Sequence, residues 1–175
     1  MLKTITIAAA LSLSIPSGLG AAKPASLSAT AEPIYAAAAI VPNKKPVVRR
    51  CGGYTVTTAI WSGNSNSPDP RMAGRMTFAG RIAVNTGGTT GVATGQFVIR
   101  DRQRSIRMRS NLRGVVTART TVNGVVMGSV SRPAARLMAN VTIVFDDVLR
   151  FGAVSLGLES GANSGVAYPA VPNCR

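Results

Sequence analysis

The sequence predicts an all-β protein: a single antiparallel up-and-down β-barrel of about eight strands, with a two-sheet β-sandwich as the alternative. Three observations carry this. From residue 51 onward apolar and polar residues alternate through one segment after another, the period at which a strand sends side chains to opposite faces. Turn-forming stretches separate these segments at short intervals, so neighbours are joined as antiparallel hairpins. Glycines recur inside the segments, at 80, 95, 114, 128 and 152, where a barrel wall bends. An immunoglobulin-type sandwich fits poorly. Trp61 follows Cys51, but the second cysteine, Cys174, lies far beyond that framework's spacing.

Residues 1–22 read as a secretory signal peptide. Met1-Leu2-Lys3 is a basic start, an apolar run covers 5–15, and Pro16-Ser17-Gly18 leads to small residues suited to cleavage. That run is too short to cross a bilayer, and no later one reaches its length without interruption. Residues 23–50 are rich in Ala, Pro and Ser and have no sustained period. They read as a disordered linker or pro-segment, with a short helix over 34–40 as an option. Residues 51–175 form the barrel domain. Its two cysteines, Cys51 and Cys174, stand at its ends and predict one disulfide that closes it. Signal and disulfide together predict a secreted chain, whether extracellular, periplasmic or at the cell surface.

The elements follow in order. Residues 54–61 are β-branched and aromatic, as strands prefer, and 62–70 are a loop by every turn signal. Over 71–85, Met72, Met76, Phe78, Ile82 and Val84 face one way while Arg71, Arg75, Thr77, Arg81 and Asn85 face the other. The turn at 86–91 contains Gly-Gly-Thr-Thr-Gly, but lacks the Lys-Ser/Thr and the helix of a phosphate-binding loop. Asn123-Gly124 predicts a tight hairpin turn, because both residues tolerate positive φ. A strand over 125–131 then breaks at Arg132-Pro133. Leu137, Ala139, Val141, Ile143 and Phe145 alternate up to Asp146-Asp147, and 148–158 read as a strand bent at Gly152. A turn at 161–164 and the stretch 166–168 lead to Cys174.

The most informative stretch is 96–122. It carries Arg100, Arg102, Arg104, Arg107, Arg109, Arg113 and Arg119 against one acid, Asp101. It reads as two strands about a turn near 102–105. In the second strand Arg107, Arg109, Arg113 and Arg119 hold odd positions, while Ile106, Met108, Leu112, Val116 and Val122 hold even ones. One face is therefore apolar and the other an arginine stripe. Arg75 and Arg81 extend it from the preceding strand. The candidate polyanion-binding residues are Arg75, Arg81, Arg100, Arg107, Arg109, Arg113 and Arg119, with Asp101 as an ion-pair partner.

Charge points the same way. The chain has 20 Lys plus Arg against 6 Asp plus Glu, a formal net charge of +14. All four lysines lie in the first 45 residues, so from residue 46 onward sixteen arginines face five acids, a net +11. Such a charge favours polyanionic partners and opposes self-association. Guanidinium groups make bidentate contacts to phosphate, sulfate and carboxylate. No aromatic residues interleave with the arginines to stack on bases.

Chemistry is poorly provided for. There is no histidine, which removes the commonest general base and metal ligand. Asp146 and Asp147 are adjacent, so in a strand they point to opposite faces; a turn is the expected place for them. No catalytic residue, cofactor or metal site is expected. Inward positions such as Met72, Met76, Ile106, Met108, Leu112 and Val116 suit a filled core better than a ligand cavity. An outer-membrane barrel is disfavoured by the lack of aromatic girdles.

The leading expectation is an exported, non-enzymatic barrel contacting an anionic partner through its arginine face. That partner would be a cell-envelope polymer, a glycan, a lipid headgroup or a nucleic acid. The alternative is a carrier barrel holding a small apolar ligand, and the third reading is a barrel isomerase or cyclase, weakened by the missing histidine.

Overall fold

Buried and exposed side chains alternate along antiparallel strands that close into a ring. The computed structural model describes residues 35–157 and 169–174. The expected signal peptide, the turn at 161–164 and the stretch 166–168 lie outside them. Nine strands occur among the described residues: β1 (Ala36–Pro42), β2 (Val47–Cys51), β3 (Tyr54–Asn66), β4 (Gly74–Asn85), β5 (Gly91–Asp101), β6 (Ile106–Thr117), β7 (Thr121–Ser131), β8 (Ala134–Phe145) and β9 (Gly152–Gly157). From β3 to β9 each strand pairs with the next, and β1 pairs with both β9 and β3. The result is a closed eight-stranded antiparallel barrel. β2 lies outside the ring and pairs only with the first half of β3.

The closing strand corrects the sequence reading. Residues 36–42 and 47–51 are strands, where a linker up to residue 50 and a helix over 34–40 were expected. Alanine is a poor strand former, so composition hid β1. Pairing along both edges overrides that preference. Ala36, Ala38 and Ile40 point into the core. Gly63 of β3, opposite Ile40, has no side chain to collide with the Ala39 carbonyl, so the two strands approach closely.

Two turns differ as well. Asn123-Gly124 lies inside β7, and the chain reverses at 118–120 instead, with Ala118 and Arg119 both at positive φ. Gly124 faces Gly114 across β6 and β7, and a side chain on it would strike the Arg113 carbonyl. Its small size serves close strand approach in the wall rather than turn formation. The segment from 146 to 151 is a turn, so β9 begins only at Gly152. There the Asp146 carboxylate accepts the backbone N–H groups of Arg150 and Phe151, the turn role expected of it.

The interior is packed with side chains. Trp61 stacks on Phe78 at 5.4 Å between ring centroids, and Phe78 stacks on Phe97 at 4.6 Å. Phe145 tilts against Trp61 at 5.2 Å. The Trp61 indole N–H donates to the Leu149 carbonyl of the 146–151 turn at 3.0 Å, fastening that turn across one barrel mouth. Met72, Met76, Met108, Leu112 and Val116 join the same buried cluster, with Ile106 packed against it. The outer wall carries the exposed arginines together with exposed apolar side chains such as Ile60, Met127 and Met138.

Cys51 and Cys174 are disulfide-bonded, with Cα atoms 5.8 Å apart. The bond does not close the barrel, as the sequence reading supposed. β1 does that, and the disulfide ties the C-terminal tail to β2 outside the ring. The tail covers Val56, Ala83 and Val92, which point outward from β3, β4 and β5 yet are buried beneath Val171 and Cys174.

Candidate functional site

Strand parity decides where the arginines go. On β6, Met108, Ser110, Leu112, Gly114 and Val116 point inward, which leaves Arg107, Arg109 and Arg113 outside and exposed. The turn at 102–105 sets how they align with β5. Asp101 Oδ1 accepts the backbone N–H groups of Gln103 and Arg104 at 2.9 and 3.2 Å, and Ser105 adopts positive φ. This capped turn fixes the register in which Arg100 stands opposite Arg107. On the other edge of β5, Arg100 stands opposite Arg75. One transverse row therefore reads Asn64, Arg75, Arg100, Arg107 across β3, β4, β5 and β6. The next row on the same face reads Ser62, Thr77, Val98, Arg109, Ser129, Arg136, reaching β8.

Side chains directly opposite on one sheet face have Cβ atoms about 5 Å apart, and like charges at that spacing repel. Little offsets the repulsion here. Asp69 is clamped by Arg71, whose Nη2 lies 2.7 Å from Asp69 Oδ2. Asp101 serves its turn, and among the described residues its ion pair is with Arg104 alone, at 3.9 Å. Among the described residues no acidic side chain pairs with Arg75, Arg100, Arg107 or Arg109. A surface groove of about 490 Å³ runs beside the row, lined by Arg75, Arg100 and Arg102 with Ser62, Thr77 and Val98. Converging guanidinium groups beside small hydroxyl side chains form a surface suited to oxyanions.

The seven arginines singled out from the sequence separate into three groups. Arg75, Arg100, Arg107 and Arg109 come together. Arg81 and Arg113 share a different row through Thr94, six residues or about 20 Å further along their strands. Arg81 also has a structural duty, since its Nη2 donates to the Pro172 carbonyl at 2.9 Å and so holds the tail. Arg119 lies in the turn at the far end of β6, where its backbone N–H donates to the Thr89 carbonyl. Its side chain lines a separate cleft at that barrel mouth with Thr55, Thr57 and Asp147.

Sequence reasoning missed Arg102 and Arg136 as members of the group. The outward parity of Arg136 was legible beside Leu137 and Ala139. Its place in the row of Arg109 was not, because that depends on two successive registers, β6 with β7 and β7 with β8. No group of three or more metal-ligating side chains occurs among the described residues. Comparison with protein-family models, curated proteins and solved structures finds no match to this chain.

Proposed function

We propose that this is an exported, non-enzymatic barrel that contacts an anionic partner through the arginine rows on its outer wall. The observation that carries the reading is the placement of Arg75, Arg100 and Arg107 side by side on three neighbouring strands, with no acidic partner among the described residues. Such a row costs stability unless an external anion neutralises it. Export is supported by the signal-like start and by the disulfide, a bond that persists in oxidising compartments. The absence of histidine and the structural duties of Asp69, Asp101 and Asp146 weigh against an enzyme. The carrier reading has less support, because aromatic and methionine side chains occupy the barrel interior.

Binding of this kind is sequence-independent and weakened by salt. The test compares wild type with Arg107→Ser/Arg109→Ser on immobilised heparin and on vesicles rich in phosphatidylglycerol. The variant should elute at lower salt and release vesicles more readily. Elution and binding identical to wild type would leave the rows as a solubilising surface and end the proposal.

A further inference from the structure

The arrangement of the arginines around the wall narrows the partner's class, and the inference rests on the polyanion reading above. Eight strands close the ring, so each step from strand to strand turns the outer surface by about 45°. Arg75 on β4, Arg100 on β5, and Arg107 and Arg109 on β6 therefore span about a quarter of the circumference. Arg136 on β8 lies in the row of Arg109, with Ser129 of β7 between them. It extends the arc to about half of the circumference. At about 4.8 Å per strand step, the arc from β4 to β8 measures about 19 Å along the backbone.

Shape then discriminates between partners. A flat bilayer rests on a cylinder along one line, so it cannot meet Arg75 and Arg136 together. A stiff duplex has the same difficulty. A flexible linear chain laid across the strands meets each arginine in turn. Beside the arginines the row of Arg109 holds Thr77, Val98 and Ser129, and the adjoining row holds Gln96 and Asn111, which hydrogen-bond each other at 3.3 Å, followed by the exposed Met127 and Met138. The large exposed aromatic side chains among the described residues, Tyr35 and Phe151, precede β1 and β9, away from the arc. A single-stranded nucleic acid would find no stacking platform there. A chain bearing both hydroxyl and acidic groups meets the arginines with its acids and Thr77, Gln96, Asn111 and Ser129 with its hydroxyls, and the apolar faces of its sugar rings can lie over Val98, Met127 and Met138.

We infer that the partner is a linear acidic polysaccharide, carrying carboxylate or sulfate groups, that wraps the outer wall from β4 to β8. The test measures affinity for long heparin and polygalacturonate chains, for their disaccharides, for phosphatidylglycerol vesicles and for a single-stranded oligonucleotide. The proteins are wild type, Arg75→Ser, Arg136→Ser and Arg100→Ser/Arg107→Ser, each checked for an unchanged fold by circular dichroism.

Long chains should bind at least about tenfold more tightly than the disaccharides, because successive contacts are then intramolecular. Arg75→Ser and Arg136→Ser should each weaken long-chain binding by about two- to fivefold. If Arg136→Ser binds long chains like wild type while Arg100→Ser/Arg107→Ser does not, the wrapped arc is overturned and the polyanion reading stands. Tighter binding to vesicles or to the oligonucleotide than to either polysaccharide would also overturn the inference. If Arg100→Ser/Arg107→Ser loses nothing on any probe, the polyanion reading itself fails.

Discussion

Arg100 stands directly opposite Arg107 in the antiparallel pairing of β5 with β6. It also faces Arg75 on its other edge, so one guanidinium is flanked by two more. Threonine suits an exposed strand position at least as well as arginine and removes both repulsive pairs. Arg100→Thr should therefore stabilise the barrel by about a few tenths of a kcal/mol at low salt. The gain should shrink as salt screens the charges. Urea denaturation at two ionic strengths checks both parts. A destabilised variant at low salt would show that the row is not under repulsion.

The Phe78 ring covers two glycines that face each other across β4 and β5, Gly80 and Gly95. A methyl group at either would run into that ring, which is itself held between Trp61 and Phe97. Gly80→Ala should cost about 1–3 kcal/mol by overpacking, despite alanine's better backbone entropy. Phe78→Ala should cost about 3–5 kcal/mol. In the combined variant the added methyl meets a vacated site, so the two costs should sum to more than the measured total. Strict additivity in a denaturant double-mutant cycle would argue against this contact.

The disulfide joins residues 123 positions apart but lies outside the ring. Chain entropy alone suggests about 4–5 kcal/mol for a loop of that size, and measured gains often fall short. Cys51→Ser/Cys174→Ser should lower stability yet leave a cooperatively unfolding barrel, because β1 still bridges β9 and β3. Release of the tail should speed hydrogen exchange around Val56 and Ala83, which it covers. Loss of cooperative unfolding would mean that the ring depends on the disulfide.

Which parts of this architecture were legible follows from which were local. The alternation in β4, β6 and β8 is a period-two signal within single segments, and the barrel could be read from it. So could the arginine stripe on β6, and its alignment with β5 once the turn at 102–105 was placed. β1 was hidden because its alanines are strand residues only by virtue of the two strands beside them. Asn123-Gly124 misled for the converse reason. Its local turn preference loses to strand pairing on both sides, while Ala118 and Arg119 accept positive φ without glycine. The contact of Arg81 with Pro172 spans 91 residues and depends on where the disulfide holds the tail.

Asp69 anchors the loop between β3 and β4. Hydrogen bonds from the Arg71 side chain hold its carboxyl below the ordinary aspartate pKa, against the opposing effect of burial. A carboxyl depressed by folding adds stability above its unfolded-state pKa, and that stability is lost as pH falls through the folded value. The clamp is partly exposed, so its contribution should be under about 1 kcal/mol. Wild type should lose more thermal stability than Asp69→Asn between about pH 4 and pH 2. Equal losses would show that the clamp adds nothing on folding.

The most direct measurement of the central claim is the salt dependence of binding to a single-stranded homothymidine oligonucleotide, used as a uniform polyanion. Each phosphate contacted adds about 0.7 to the slope of log affinity against log salt. Arg100→Ser/Arg107→Ser should therefore bind more weakly at low salt, with a slope shallower by about 1.4 than that of wild type. Equal affinity and equal slope for the two proteins would contradict the assignment of polyanion contact to the arginine row.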